Sequence, residues 1–296
     1  MTLEFRQSEF GAFKRSRRKW ALQYRAAYVR KRNRPSTAGI GTLVHKGAEV
    51  YYLGGDWREA MEQLWHVEAA KLEEQYLEEY EKQLKLSLTM VDGYIDWVAE
   101  EGIDAGIEVT GVERQLSVPF GQIAGHDITV TGKVDLEILD RYGLPRLRDF
   151  KTRDGLEPSP ADRNDWQRKT YAVLRMMEDG TLFNGCDHVI LRKVLRSSKS
   201  KPPYYGVHEL TFTIEELRRH YTLLVAMLNE MVPLAAGLAD GSIKLDDPRL
   251  YPNPHRDCSW DCKFLDVCPM FDDGGAWQWM LDEFFEVAAT LEETPE

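Results

Sequence analysis

The chain has 296 residues, of which 43% are hydrophobic and 11% aromatic. This composition supplies one sizeable core and argues against an intrinsically disordered chain. No apolar run approaches the roughly 18 residues that a membrane helix needs, and the N-terminus lacks the apolar stretch of a signal peptide. We therefore expect a cytoplasmic protein that folds as a single domain over residues 1–296.

Charge is unevenly distributed along the chain. The net charge of −11 argues against a general nucleic-acid coat protein. However, the segment from Arg6 to Arg34 carries 11 basic residues and one acid, whereas the residues after Pro269 include eight acids and no Lys or Arg. A basic segment suits a phosphate backbone, although a solvated helix face is the ordinary explanation for such a run. The candidate DNA contacts in this segment are Arg15, Arg17, Arg18 and Lys19.

Apolar residues at helical spacing dominate the first hundred residues, and Pro35 ends the first run. The helices predicted here span 7–32, 39–53 and 57–101. These are followed by β-branched residues that alternate with polar ones, a pattern typical of strands. The predicted strands span 108–118, 127–139, 146–152, 188–194 and 206–213.

Turns and helices separate these strands. Turns are predicted at Phe120-Gly121 and over Tyr142–Pro145. The remaining predicted helices span 161–178, 214–238 and 276–289. This order predicts an α/β (mixed α+β) fold, with a small mixed sheet of about five strands flanked by helices. Within it we distinguish a basic N-terminal helix (1–38), a catalytic core (39–213) and a C-terminal part (214–296) with a helix, a cysteine cluster and an acidic tail.

The third predicted strand carries an acid and a lysine two residues apart, Asp149 and Lys151. Residues at this spacing face the same side of a strand. The acid suits a divalent metal, and the lysine suits stabilisation of developing charge or placement of a nucleophilic water. For an isolated Asp-x-Lys, a surface ion pair is the simpler interpretation.

A second acid, Asp135, lies on the preceding strand. Antiparallel pairing across the Tyr142–Pro145 turn would bring Asp135 beside Asp149. Two carboxylates at one point suit a hard cation such as Mg²⁺, which takes oxygen ligands and leaves room for water and phosphate. Such a metal activates water and neutralises charge on a phosphodiester. The two strands therefore suit a divalent-metal site that could act on a phosphodiester.

Three further polar residues lie on predicted helices. His45 follows Gly41 by four residues, and Gln167 and Tyr171 are i and i+4 on one helix face. Taken alone, His45 would be an ordinary core histidine, and Gln167 and Tyr171 an ordinary polar–aromatic pair.

In combination, the motifs resemble those of the RecB-like branch of the PD-(D/E)XK nuclease superfamily. That branch includes RecB and AddB nuclease domains and CRISPR-associated and phage RecB-like exonucleases. Its pattern is Gly-x-x-x-His, Gly-x-x-Asp, Asp-x-Lys-Thr and Gln-x-x-x-Tyr. The matching segments here, in order, are Gly41–His45, Gly132–Asp135, Asp149–Thr152 and Gln167–Tyr171. Each motif is weak alone, but the four in order are specific.

The resemblance implies a restriction-endonuclease-like core and Mg²⁺ or Mn²⁺ as the cofactor. The implied metal ligands are His45, Asp135, Asp149 and the carbonyl of Phe150. Lys151 would be the catalytic lysine, and Gln167 and Tyr171 would orient the site or contact DNA. Glu113 would match a position that is frequently acidic in the family.

Three of the four cysteines, Cys258, Cys262 and Cys268, fall within eleven residues. In a cytosolic protein such a group indicates metal or cluster ligation sooner than disulfides. Their positions resemble the C-terminal part of the iron–sulfur staple of many RecB-like nucleases, in which four thiolates hold a [4Fe–4S] cluster. Here Ser16 stands where the fourth cysteine would be, and the first gap holds three residues instead of two.

These departures leave three possibilities for the cysteines. One is a cluster with an unusual fourth ligand, and another is a zinc ion bound by the three cysteines and His255. The third is a site closed by packing. The remaining cysteine, Cys186, is interpreted as a buried small residue.

A second basic segment begins at Arg192 and Lys193 and leads to the aromatic pair Tyr204-Tyr205. Basic side chains interleaved with rings suit single-stranded DNA, because its bases stack on aromatic faces. Arg192 and Lys193 are therefore candidate DNA contacts. A hairpin loop with solvated lysines is an equally simple interpretation.

The sequence thus predicts a metal-dependent deoxyribonuclease, specifically an exonuclease that acts on linear or single-stranded DNA in recombination, repair or phage DNA metabolism. One alternative is a catalytically silent DNA-binding or scaffold protein that keeps the nuclease fold. Another is a zinc module that binds a protein partner through the acidic tail. Homo-oligomer formation and a protein partner in recombination or repair are compatible with the sequence.

Overall fold

The computed structural model describes residues 1–31, 39–158, 162, 164–255 and 258–288, apart from the side chains of residues 260 and 261. Backbone contacts divide the chain into two compact units, which are described separately. The first unit comprises Met1–Lys31, Ser117–Gly132 and Tyr221–Glu296, and the second comprises Arg32–Leu116 and Lys133–His220. The three-part domain organisation drawn from the sequence stays a prediction.

The prediction of one helix over 7–32 is wrong, because the N-terminal segment contains several short elements. Strand β1 (Thr2–Arg6) precedes helix α1 (Gln7–Arg15), and Ser16 is extended, with φ −164°. The Ser16 hydroxyl accepts the Lys19 amide and so begins α2 (Arg17–Trp20). A π-helical turn (Ala21–Arg25) and strand β2 (Tyr28–Arg30) follow. A capping serine inside a helical pattern thus ends one helix and starts the next.

Three helices of the second unit precede its strands. They are α3 (Gly39–Tyr52), α4 (Trp57–Ala69) and α5 (Leu77–Glu101). The sequence predicted α4 and α5 as one helix, but a 3₁₀ turn at Glu74–Tyr76 separates them. The Asp56 carboxylate starts α4 by accepting two backbone amides. Buried apolar residues of α3 and α5 pack with those of the strands into one core cluster.

The strands form a mixed, six-stranded sheet in which β3 pairs with β4 and the others follow the order β1-β4-β5-β6-β7. The strands after β2 are β3 (Glu108–Ile123), β4 (His126–Leu139), β5 (Pro145–Arg153), β6 (Gly185–Arg192) and β7 (Tyr205–Thr211). The mixed α/β class predicted from the sequence is confirmed. The turn between β3 and β4 is at Ala124-Gly125, with φ of 48° and 79°, and not at Phe120-Gly121 as predicted.

Pairing on both sides fixes the register of β5. Its antiparallel pairing with β4 runs from Leu139 opposite Pro145 to Leu136 opposite Arg148. The turn between them is stabilised by Asp140, whose carboxylate accepts two backbone amides. On the other side, β5 pairs in parallel with β6. The side chains of β5 therefore have fixed neighbours from both adjoining strands.

The remaining described helices follow in chain order. They are α6 (Trp166–Asp179), α7 (Ile214–Asp240), α8 (Cys258–Asp261), α9 (Met270–Asp273) and α10 (Trp277–Phe284). The helix predicted over 276–289 is shorter than expected, because strand β8 (Phe285–Val287) follows α10 and pairs with β2.

Helix α7 is more apolar than the sequence analysis expected. By length and composition it could cross a membrane, and 44% of its most apolar window is buried within the protein. The core helix of a soluble protein has the same composition, so this finding is weak support for a membrane span.

Candidate active site

The hairpin of β4 and β5 positions two of the predicted acids. Leu136 pairs with Arg148, and Asp135 and Asp149 each lie one residue beyond that pair along their strands. Both carboxylates are buried or nearly so, with side-chain exposures of 8% for Asp135 and 6% for Asp149. The antiparallel pairing on which the sequence interpretation depended is therefore present.

The backbone of Phe150 connects this hairpin to α3. Its amide donates to Asp135 Oδ2 at 2.9 Å, and its carbonyl lies 2.9 Å from His45 Nε2. The other imidazole nitrogen, Nδ1, lies 3.5 Å from Asp135 Oδ1. The Phe150 carbonyl, implied as a metal ligand by the resemblance, is thus a hydrogen-bond acceptor for His45 in this state.

A third acid, Glu113 of β3, joins this group. One ligand atom from each of His45, Glu113 and Asp135 lies within 4.8 Å of the others. Within the described ranges, this is the only group of three or more His, Cys, Asp or Glu side chains so arranged. Glu113 has φ of 48°, a left-handed conformation that costs energy for a residue with a Cβ. Its carboxylate pairs with the Lys133 ammonium.

The donor set fits a hard divalent cation. Glu113 and Asp135 offer carboxylate oxygens, the ligands that Mg²⁺ and Mn²⁺ prefer. Oδ2 of Asp149 is also buried and accepts no hydrogen bond from the described residues, whereas Oδ1 pairs with the Lys151 ammonium at 3.0 Å. A buried carboxylate oxygen without a donor is costly unless a cation is close. The site can therefore hold the metal that the sequence predicted, with Glu113 as an added candidate ligand.

Charge at the site is strongly coupled. Burial lowers the pKa of His45, but the carboxylates of Asp135 and Asp149 raise it to about 9. Burial raises the pKa of Asp135, but the adjacent His45 and the other donors around the carboxylate lower it by more, so the pKa is below its ordinary value. For Asp149, burial dominates and the pKa is raised, despite Lys151 nearby.

Lys151 connects the acids to α6. Its ammonium lies 3.0 Å from Asp149 Oδ1 and donates to Gln167 Oε1 at 3.1 Å. The side-chain nitrogen of Gln167, Nε2, donates in turn to the Tyr171 hydroxyl at 3.1 Å. The Asp165 carboxylate caps α6 by accepting a hydrogen bond from the backbone N–H of Gln167. The four predicted residues of this group therefore form one chain of polar contacts.

Comparison with known families decides the identity of this fold. The model of the PD-(D/E)XK nuclease superfamily matches residues 5–269. The chain belongs to the PD-(D/E)XK nuclease superfamily. The resemblance seen in the sequence is confirmed at this level, and the protein is a nuclease-family hydrolase of phosphodiesters.

Two solved structures are similar to this nuclease. One is a putative exonuclease from Eubacterium rectale, with 13% identity and a TM-score of 0.49 over 81% of this chain and 82% of that one. The other is SSO0001, with 17% identity and a TM-score of 0.34 over 88% of this chain and 95% of that one. No curated protein matches the sequence.

Two buried residues beside Asp149 were not predicted from the sequence of this nuclease. Arg168 follows Gln167 on α6, and His188 pairs with Asp149 across β5 and β6. Burial, together with the positive charges of Arg168 and Arg153, lowers the pKa of His188 to about 3. His188 lies in a strand of buried residues, where the sequence alone does not distinguish a core histidine from a site residue.

The cysteine cluster predicted for this nuclease is not supported. Among the described side chains, no group of three His, Cys, Asp or Glu ligand atoms within 4.8 Å of one another includes Cys258, Cys262 or Cys268. A zinc ion bound at about 2.3 Å by thiolates needs closer sulfurs. Ser16 is occupied as the cap of α2. Three thiols and a capping hydroxyl do not fit a four-thiolate cluster, and Cys186 is buried as expected.

An arginine contacts the cysteine segment within the first unit. Arg18 donates to the Cys268 carbonyl at 2.8 Å and lies 3.7 Å from its sulfur. The same guanidinium forms a bidentate ion pair with the Asp272 carboxylate, in which Nη1 and Nη2 each donate to one oxygen at 2.8 Å. Arg18 is buried and has these structural contacts, and its predicted role as a DNA contact stays a prediction.

The exchange of Arg18 for methionine is therefore expected to destabilise the protein by about 1–3 kcal/mol, because Asp272 and the Cys268 carbonyl lose their donor. Cys262→Ser is the matched control and is expected to cost less than about 1 kcal/mol. Urea unfolding measures both. Iron and acid-labile sulfide in protein purified without oxygen should be well below stoichiometric. About four irons per chain, lost together with stability in Cys262→Ser, would contradict this account.

The other candidate DNA contacts are placed differently. Arg17 pairs with Glu230, whereas Arg15 is exposed. In the second unit, Arg192 donates to the backbone carbonyls of Asp154 and Lys201. The Lys193 ammonium lies 3.5 Å from the Asp154 carboxylate. Lys19 is half-buried. The DNA-binding roles of these residues stay predictions.

Proposed function

We propose that this protein is a divalent-metal-dependent deoxyribonuclease, and specifically an exonuclease that hydrolyses phosphodiesters at linear DNA ends. The position of Lys151 carries the proposal, because its ammonium lies between Asp149 and Gln167 and beside a group of possible metal ligands. The exonuclease mode rests on the sequence resemblance. So does a role in recombination, repair or phage DNA metabolism. The cytoplasmic location stays an expectation from the sequence.

The metal would be Mg²⁺ or Mn²⁺, with His45, Glu113, Asp135 and Asp149 as the residues that would hold it. When bound, it supplies an activated water and neutralises charge on the phosphate. The protein residues orient the reacting groups. The Asp135 carboxylate fixes both the His45 ring and the Phe150 amide, so α3 and β5 present their polar groups together.

Lys151 acts as a cation. Burial lowers its pKa, but the charges of Asp149 and Asp135 raise it above the ordinary value. An ammonium of raised pKa is a poor general base, so Lys151 stabilises negative charge on the phosphate and positions the nucleophilic water. Gln167 holds the ammonium on its other side, and Tyr171 holds Gln167.

The direct test is degradation of end-labelled linear DNA by purified protein. We expect loss of full-length DNA with Mg²⁺ or Mn²⁺ and none with EDTA, and a stepwise product ladder from one end. Circular DNA should be resistant if the enzyme is an exonuclease. Cleavage of circles would retain the nuclease but overturn the exonuclease mode. Binding of DNA without cleavage under either metal would support the silent scaffold instead.

The contact between Gln167 and Lys151 gives a second, smaller prediction. Gln167→Leu should lower kcat about tenfold, because the ammonium loses the acceptor that orients it. Tyr171→Phe should have a smaller effect, since it acts through Gln167. Gln63→Leu, on the exposed face of α4, is the control and should cleave normally. Equal rates for Gln167→Leu and the control would exclude an orienting role.

A further inference from the structure

Four buried polar atoms next to one another lack a hydrogen-bond partner among the described residues. They are Oδ2 of Asp149, Nη1 of Arg168 and both ring nitrogens of His188. The three residues are 4%, 1% and 0% exposed, respectively. A buried polar group without a partner costs about 1–3 kcal/mol. Three such side chains at one place therefore require a physical reason.

Arg168 and His188 both approach the same oxygen of Asp149. Asp149 Oδ2 lies 3.8 Å from Arg168 Nη1 and 3.8 Å from His188 Nε2. The other oxygen, Oδ1, lies 3.0 Å from the Lys151 ammonium. The carboxylate therefore has an inner oxygen facing Arg168 and His188, and an outer oxygen facing Lys151.

The two ends of the Arg168 guanidinium have different surroundings. Nη2 donates to the Asp162 carbonyl at 2.6 Å and lies 3.3 Å from Asp165 Oδ2, so it fixes the loop before α6. The contacts of Nη2 do not explain why the other nitrogen, Nη1, is buried facing Asp149. A buried guanidinium costs several kcal/mol unless it is paired, and Asp149 is the carboxylate that faces this end.

His188 closes the other side of the inner oxygen. It lies between Asp149 and Asp162, whose Oδ2 lies 3.9 Å from Nδ1. Both oxygens of Asp162 already accept from Arg153, at 2.5 and 3.0 Å. Oδ2 of Asp149 accepts no hydrogen bond from the described residues, so Nε2 of His188 faces an acceptor that is still open.

We propose that Arg168 is a positioning residue for Asp149, and that His188 assists it. Together they hold the inner oxygen, so that the carboxylate cannot rotate and its outer oxygen stays directed at Lys151 and available to a divalent cation. This inference rests on the proposed function, in which Asp149 helps to hold the metal. It adds a buried arginine that acts on the metal site through Asp149.

The test compares Arg168→Met with Arg175→Met. Arg175 is a buried arginine on the same helix whose guanidinium pairs with Glu137, away from Asp149. We expect Arg168→Met to raise the Mg²⁺ concentration for half-maximal cleavage about tenfold and to lower kcat 10–100-fold. The rise in melting temperature on adding Mn²⁺ should also shrink. Arg175→Met should melt earlier but keep the wild-type Mn²⁺ shift and Mg²⁺ dependence.

The conservative exchange Arg168→Lys is expected to recover part of the rise in melting temperature on adding Mn²⁺. Lysine restores the positive charge but lacks the planar guanidinium with its several donors. If Arg168→Met does not fold, Arg168→Lys and His188→Gln replace it in the test. Each is expected to raise the Mg²⁺ concentration for half-maximal cleavage several-fold. An unchanged Mn²⁺ shift and Mg²⁺ dependence in the folded Arg168 variants would overturn the inference. If wild-type protein cleaves no DNA, the proposed function fails, while the Mn²⁺ shift still tests Arg168.

Discussion

Lys151→Met is expected to lower the rate of DNA cleavage by at least about 10³-fold while the protein remains folded. The exchange removes the ammonium that lies 3.0 Å from Asp149 and donates to Gln167. Loss of one preorganised charge at the transition state typically costs 10²–10³ in kcat. The loss should be larger here, because Asp149 then also loses its nearest cation.

The measurement is single-turnover cleavage of end-labelled DNA at saturating Mg²⁺. Lys71→Met, which removes an exposed lysine paired with Glu68 on α4, is the matched control and should cleave like the wild type. Lys151→Arg keeps the charge but changes its shape, so we expect only partial activity. A Lys151→Met rate within tenfold of the wild type would remove Lys151 from the chemistry.

Asp135→Asn is expected to abolish both cleavage and metal binding. The carboxylate faces His45 and accepts the Phe150 amide, and it is one of the three acids placed to hold a cation. An amide cannot supply the negative charge, so metal affinity should fall by about 10–100-fold or more. The loss of cleavage should equal or exceed that for Lys151→Met.

Calorimetric titration with Mn²⁺ separates this role from a general loss of structure. Wild-type protein should take up Mn²⁺ and melt several degrees later, since a ligand that binds only the folded state stabilises it. Asp135→Asn should show neither effect, whereas Lys151→Met should still bind Mn²⁺. Asp127→Asn, an exposed acid on β4 whose carboxylate accepts from Gln122, is the control. Normal Mn²⁺ binding by Asp135→Asn would place the metal elsewhere.

The sequence was sufficient to predict the strands that form the site. Alternation and the Tyr142–Pro145 turn predicted the β4–β5 hairpin, and the motif order predicted which side chains it carries. Local turn chemistry explains this success, because Asp140 and Gly143 define the hairpin within a few residues. Mixed α/β architecture followed from the order of elements.

The sequence pattern did not reveal other features, for reasons that differ between them. Ser16 interrupts the N-terminal helix because its hydroxyl competes for a backbone amide, which the helical pattern does not reveal. His188 acquires its neighbour Asp149 only through the parallel pairing of β5 and β6. Glu113 was matched to an acidic family position, but the pattern did not reveal the left-handed backbone conformation of this residue. Sequence periodicity contains no information about such partners.

The two-sided pairing of β5 has a consequence for the newly made protein. His45, Glu113, Asp149 and His188 come from four elements, and the parallel β5–β6 pair forms only after the whole of α6 has been synthesised. Contacts this distant in sequence form late and cooperatively. A nascent or truncated chain that ends before β6 therefore carries the acids and the lysine without their final alignment. We therefore expect hydrolytic activity only in chains that include β6, and none in a folded fragment that ends after α6.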